Sequence, residues 1–130
     1  MTKVSGHING SHYKTVLSNA RHELIADEPK SSGGTDLGFS PSELLCSALA
    51  ACTCATLRMY ADRKQWSLEN IDVIITMQKD VTKNITNMER EILLIGNLTD
   101  EQRIHLIEIA EQCPIHKILT NPIKIQTILK

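Results

Sequence analysis

Aromatic side chains are scarce in this chain, making up 3% of its residues: Tyr13, Phe39, Tyr60 and Trp66. With so few rings, the interior must be filled by Ile, Leu, Val and Ala, and stacking on exposed bases has no platform. Excess charge of either sign is missing too. The formal net charge is −1, which excludes the basic footprint of a nucleic-acid or anionic-membrane binder. The longest uncharged apolar run, residues 44–57 between Glu43 and Arg58, has 14 residues, whereas a bilayer span needs about 20. The opening MTKVSGHING has no apolar region and no cleavage site, so export is not expected and a cytoplasmic location is. In that reducing compartment the four cysteines are expected to be free, catalytic or metal-bound rather than a disulfide scaffold.

What is present reads as one domain over residues 1–130. Asn9-Gly10 between short β-like runs is a two-residue hairpin signal, and strands over 12–18 and 21–26 extend it to an antiparallel meander. Residues 27–40, DEPKSSGGTDLGFS, form a long loop, either functional or a mobile linker. Ser40-Pro41-Ser42-Glu43 then has the marks of a helix start: Ser at the N-cap, Pro at N1, Glu at N3. LLCSALAACTCATL (44–57) is apolar all round, which predicts a buried helix. Ile71, Val73, Ile75 and Met77 alternate with other residues as a half-buried strand. Residues 79–87 read as a polar connection, and 88–97 as the next strand. Thr99 and Gln102 form a second capping box, for a helix over 100–112. IKIQTIL (123–129) reads as a last strand. The predicted order β-β-β-α-β-β-α-β gives an α+β fold, with helices packed on mainly antiparallel sheet.

Cys113 carries the clearest local signal for chemistry. Pro114 after it suits the first position of a new helix, with Cys113 at the N-cap, where free amides favour thiolate. His116 lies one turn on. A buried structural cysteine at a helix break is the competing reading. Cys46, Cys52 and Cys54 share the apolar helix. Cys52 and Cys54 diverge by about 200° around its axis, so Cys-x-Cys is a weak metal signal and no metal or other cofactor is expected. Glu43 is accounted for as the N3 member of its capping box, and a carboxylate there could also orient an arginine. Arg21 and Arg58 read as surface arginines. His7, His12, His22 and His105 form no triad-like pattern with a nucleophile.

GGTDLGFSPSELLCSALAACTCATLRMYADRKQW and the later LTDEQRIHLIEIAEQCPIHKIL together resemble the OsmC/Ohr family, in its OsmC-like redox-protein branch. The helix start Pro-x-Glu-Leu-Leu, the Ala-Ala-Cys and the late Cys-Pro carry the likeness. The resemblance implies an intertwined homodimer, with antiparallel sheets wrapped around central buried helices. It implies a thiol-dependent reductase of small organic hydroperoxides, restored by an external dithiol, with Cys52 attacking the peroxide and Cys113 resolving. Peroxidase members of the family carry Glu directly after the helix-start Pro; here Ser42 stands there and Glu43 follows. They also use an arginine beside the reactive thiol, for which Arg21 is the candidate. A non-catalytic domain binding an apolar ligand and a slowly turning thiol sensor are the alternative readings. On local grounds Cys113 is expected to be the more accessible thiol of the pair.

Overall fold

The computed structural model describes residues 1–130, which divide into two compact units, Met1–Leu45 and Cys46–Lys130. In the first, strands β1 (Ser5–His7), β2 (Thr15–Ser18) and β3 (Glu23–Ala26) form an antiparallel sheet in sequence order. The β2–β3 turn is set by Asn19, whose side-chain oxygen accepts from the amides of Arg21 and His22, with Ala20 in the left-handed region at φ 76°. The two-residue hairpin expected at Asn9-Gly10 does not form. Seven residues, 8–14, join β1 to β2: the Asn9 side chain accepts from the Ser11 amide, and the Tyr13 amide is diverted from the ladder to the Asp27 carboxylate.

Asp27 organises the long loop that follows. It is 2% exposed. One carboxylate oxygen accepts from the amides of Tyr13 and Glu28, the other from the Thr35 hydroxyl and the Leu37 amide. Asp27 also donates its own amide to Phe39, which closes the loop upon itself. Between these points a 3₁₀ turn, Lys30–Ser32, ends at Gly33 with φ 86°. A Cβ at Gly34 would collide with the Glu28 carbonyl, so only glycine fits there. Far from a free linker, the segment is a hydrogen-bonded loop centred on one carboxylate.

The Thr35 hydroxyl above all, with the amides of Leu37, Tyr13 and Glu28, holds the Asp27 carboxyl far below the usual range against the opposing effect of burial. Glu43 is depressed as well, by the amide and then the hydroxyl of Ser40. A folded-state pKa below the unfolded one means that the stabilisation is present above the unfolded values, about 3.9 and 4.3. It is lost as pH falls through the folded ones. The protection of the Tyr13 and Leu37 amides is therefore expected to persist through the ordinary carboxylate range and to give way only on acidification well below it. Asp27→Asn should release the same amides at neutral pH; protection unchanged in that variant would deny Asp27 its organising role.

Helix α1 (Pro41–Lys64) opens in the first unit and runs on in the second. The second unit adds a long hairpin of β4 (Ser67–Asp80) and β5 (Ile85–Asn97), then α2 (Asp100–Ala110) and α3 (Pro114–Thr120). β4 and β5 are antiparallel from Ser67 opposite Asn97 to Asp80 opposite Ile85, with one irregularity between Leu68 and Asn70. The connection is a four-residue tip, 81–84, rather than the longer one expected. The Asp80 carboxylate accepts from the Thr82 hydroxyl and Lys83 amide, and Asn84 takes a left-handed φ of 52°. α2 starts on the expected capping box of Thr99 and Gln102.

Leu57, Ala61, Leu68, Leu94, Leu106 and Ala110 form the core of this unit. Arg103 fastens α2 to β5 by donating to the carbonyls of Leu94 and Gly96 at 2.6 and 2.9 Å. Arg58 is not a plain surface arginine: it is half-buried, donates to the Leu68 carbonyl and pairs with Asp62 at 3.6 Å.

Two further expectations need correction. α1 is not buried all round; its fully buried residues, Leu49, Thr53, Leu57 and Ala61, are spaced i,i+4 along one stripe, while Leu45 and Met59 are exposed. In length and mean hydropathy the helix could cross a membrane, but Leu57 and Ala61 of this stripe pack into the core with α2 and the hairpin. Residues 121–130 form no strand. The alternation of Ile123 and Ile125 provides the pattern, but a strand exists only through a ladder partner, and this segment has none within the chain. The observed order is therefore β-β-β-α-β-β-α-α, with the short 3₁₀ turn in the loop.

Candidate active site

Two thiols distant in sequence meet in the second unit. Cys52 lies midway along α1, and Cys113 is the N-cap of α3, where Pro114 at N1 starts the helix as its fixed φ requires. Cys113 Sγ accepts the amide of His116 at 3.4 Å. The Cys52 and Cys113 thiols are neighbours, close enough for each to alter the ionisation of the other. All four cysteines are free thiols, and Cys46 and Cys54, on the same helix as Cys52, are half-buried.

The two sulfurs are unequal. Burial first, then the neighbouring Cys113, pushes the Cys52 thiol up, against weaker help from the Ile115 amide and the Thr56 hydroxyl. Burial also opposes ionisation of Cys113. There it is outweighed by the neighbouring Cys52 thiol, the amides of His116 and Ile115 and the Thr53 hydroxyl, so this thiol is lowered. Accessibility runs opposite to expectation: Cys113 is 0% exposed and Cys52 is partly exposed. A cysteine at a helix break need not face outward, and here the N-cap geometry turns the sulfur inward against α1.

Beyond the thiols stand three side chains that the sequence reading assigned little or nothing. Thr53, fully buried, donates to the Leu49 carbonyl at 2.7 Å. Arg90 of β5 donates to the Thr53 hydroxyl at 3.1 Å and is bonded to His116 Nδ1 at 3.1 Å. One signal for Arg90 was present: Met88, Arg90, Ile92 and Leu94 occupy the inward positions of β5, and a cation in an apolar row needs a reason. Beside this cluster opens a cleft of about 240 Å³, with Leu49, Met88 and Leu119 on its apolar side and Arg90, His116 and Thr86 on its polar side.

Glu43 belongs to the other unit. Its carboxylate accepts the Ser40 amide at 3.0 Å, and its amide donates to the Ser40 hydroxyl at 3.2 Å, the capping box read from the sequence. Arg21 sits in the β2–β3 turn of the same unit, its amide bonded to Asn19.

The family model for OsmC-like proteins matches residues 33–128 of the chain. Among solved structures, the OsmC-like protein of Mycoplasma pneumoniae is similar, with a TM-score of 0.78 at 19% identity, over 92% of this chain and 86% of that one. The organic hydroperoxide resistance protein OhrB of Bacillus subtilis gives 0.63 at 20% identity, over 92% and 90%. An organic hydroperoxide resistance protein, OsmC, of Legionella pneumophila gives 0.64 at 21%, over 92% and 89%. No curated protein matches the sequence.

Proposed function

Since the chain belongs to the OsmC-like family and has an α+β fold of antiparallel sheets and helices, we propose that it reduces organic hydroperoxides through Cys52 and Cys113. The observation that carries this reading is the juxtaposition of two thiols from separate helices, close enough for each to alter the other's ionisation. Cys52 is the attacking sulfur because it is the one of the pair with exposed surface. As Cys52 attacks the terminal peroxide oxygen, the O–O bond breaks, the alkoxide leaves with a proton as the alcohol, and Cys52 becomes a sulfenic acid. Cys113 then attacks that sulfur, water departs and a disulfide forms. An external dithiol restores both thiols and becomes a disulfide itself. The apolar wall of the neighbouring cleft suits an alkyl hydroperoxide better than hydrogen peroxide.

The same reading makes the active species an intertwined homodimer in the cytoplasm. Two features support a partner copy: the exposed apolar residues of α1, Leu45 and Met59, and the unpaired apolar tail with Ile125 and Leu129. Sedimentation should find dimers at micromolar concentration; a folded monomer there contradicts this part of the proposal. Glu43, in addition to its cap, is assigned the role of holding an arginine that stabilises the Cys52 thiolate, an arginine that loss of the carboxylate charge would misplace. Glu43→Gln keeps the cap, because Gln serves at N3, and should move Cys52 alkylation to higher pH; an unmoved profile leaves Glu43 a cap alone.

Turnover tests the activity. The reduced protein, supplied with a dithiol, should consume an alkyl hydroperoxide catalytically and faster than hydrogen peroxide. Disulfide formation without turnover would make the protein a thiol sensor, and no oxidation of either cysteine would leave an apolar-ligand domain.

A further inference from the structure

Arginine can donate hydrogen bonds and never accept them. That one-way chemistry has consequences where Arg90 meets two groups that could act in either sense. Its bond to Thr53 occupies the hydroxyl oxygen as an acceptor, so the single Thr53 proton must go onward. It goes to the Leu49 carbonyl, at 2.7 Å, from a hydroxyl that neighbours the Cys113 sulfur. Its bond to His116 Nδ1 requires a lone pair on that nitrogen, so the ring proton lies on Nε2. His116 in turn begins the turn of α3 whose amide reaches Cys113.

We infer that Arg90 is the positioning residue beside the thiol pair: by donating to Thr53 and to His116 Nδ1, it sets the sense of the hydroxyl and the tautomer of the imidazole next to Cys113. It holds Thr53 as a donor and His116 as the Nε2–H tautomer. The inference rests on the thiol-pair reading for its chemical consequence, but the tautomer and the direction of the Thr53 bond do not depend on any peroxide chemistry. The titratable and charged groups that face the pair are Cys52 and Cys113 themselves, from α1 and the α3 cap, with Arg90 from β5 and His116 from α3 one bond away. Arg90 makes neither of its bonds to a carboxylate, so its positive charge is not neutralised by an ion pair. That charge favours a thiolate nearby. Lysine could not replace it fully, because a single ammonium lacks the fork that reaches two acceptors in different directions.

The test has two readouts on the full-length protein. Nitrogen-15 spectra of the wild type at neutral pH should show His116 as the Nε2–H tautomer, and Arg90→Gln should mix or reverse it, since glutamine can accept as well as donate. In a Cys46→Ser/Cys54→Ser background, ultraviolet thiolate absorbance should titrate at a pH higher by on the order of one unit in Arg90→Gln, about a tenfold loss of thiolate at neutral pH. Arg90→Lys should recover part of that loss. An Nδ1–H tautomer in the wild type overturns the inference even if the variant fails to fold, and superimposable thiolate titrations overturn it in a folded one. Loss of peroxide turnover with both expected results intact would count against the proposed activity and not against Arg90.

Discussion

Replacing Cys52 by serine is expected to reduce alkyl hydroperoxide consumption to the uncatalysed background, while Cys46→Ser and Cys54→Ser consume it at the parental rate. The difference does not come from residue type, since all three cysteines lie on α1 and all three are partly exposed. It comes from the partner: Cys52 neighbours Cys113, the cap of α3, closely enough for each thiol to alter the other's ionisation. Cys113→Ser should behave differently again. The first oxidation still occurs, but the sulfenic acid at Cys52 has no thiol to condense with, and excess peroxide should carry it to the irreversible sulfinic acid. A Cys54→Ser variant that loses consumption while Cys52→Ser retains it would transfer the role to the neighbouring thiol.

The largest stability effect is expected at Leu106. Its side chain is 0% exposed and packs in one cluster with Leu57, Ala61, Leu68, Leu94 and Ala110. Truncation to alanine leaves a cavity that a helix fastened through Arg103 to the carbonyls of β5 cannot easily collapse. The cost should be about 2–5 kcal/mol, a large share of the ~5–15 kcal/mol typical of a folded domain. Ile104, two residues away on α2 and 63% exposed, is the control: its truncation should cost no more than about 0.5 kcal/mol in the isolated chain. Urea denaturation of the two variants decides. Equal losses would mean that the core is not organised around this stripe of α2.

Local chemistry was legible in the sequence wherever a single turn decides it. The start of α1 at Ser40-Pro41-Ser42-Glu43, the Thr99–Gln102 box and the N-cap at Cys113 each follow from residues within four positions of one another. The alternation of Ile71, Val73, Ile75 and Met77 identified β4 because one face of a strand repeats every second residue. Features that depend on distant partners were not legible. Asn9-Gly10 failed as a hairpin because Asp27, far along the chain, takes the Tyr13 amide. IKIQTIL failed as a strand because pairing needs a second chain segment. α1 looked buried all round because composition reports how apolar a helix is, not how much neighbouring structure covers it. The inward turn of Cys113 and the convergence of Thr53, Arg90 and His116 are likewise three-dimensional. For Arg90 the one trace in the sequence was a cation in an inward position of β5.

The central claim is that Cys52 and Cys113 act as one redox pair, and peptide mapping after oxidation tests it most directly. The reduced protein is treated with one equivalent of an alkyl hydroperoxide, remaining thiols are blocked, and the digest is read by mass spectrometry. The account predicts a disulfide joining the peptide of Cys52 to that of Cys113, with Cys46 and Cys54 recovered as blocked thiols. A disulfide that omits either member of the pair, or two unoxidised thiols at these positions after the peroxide is consumed, would contradict it.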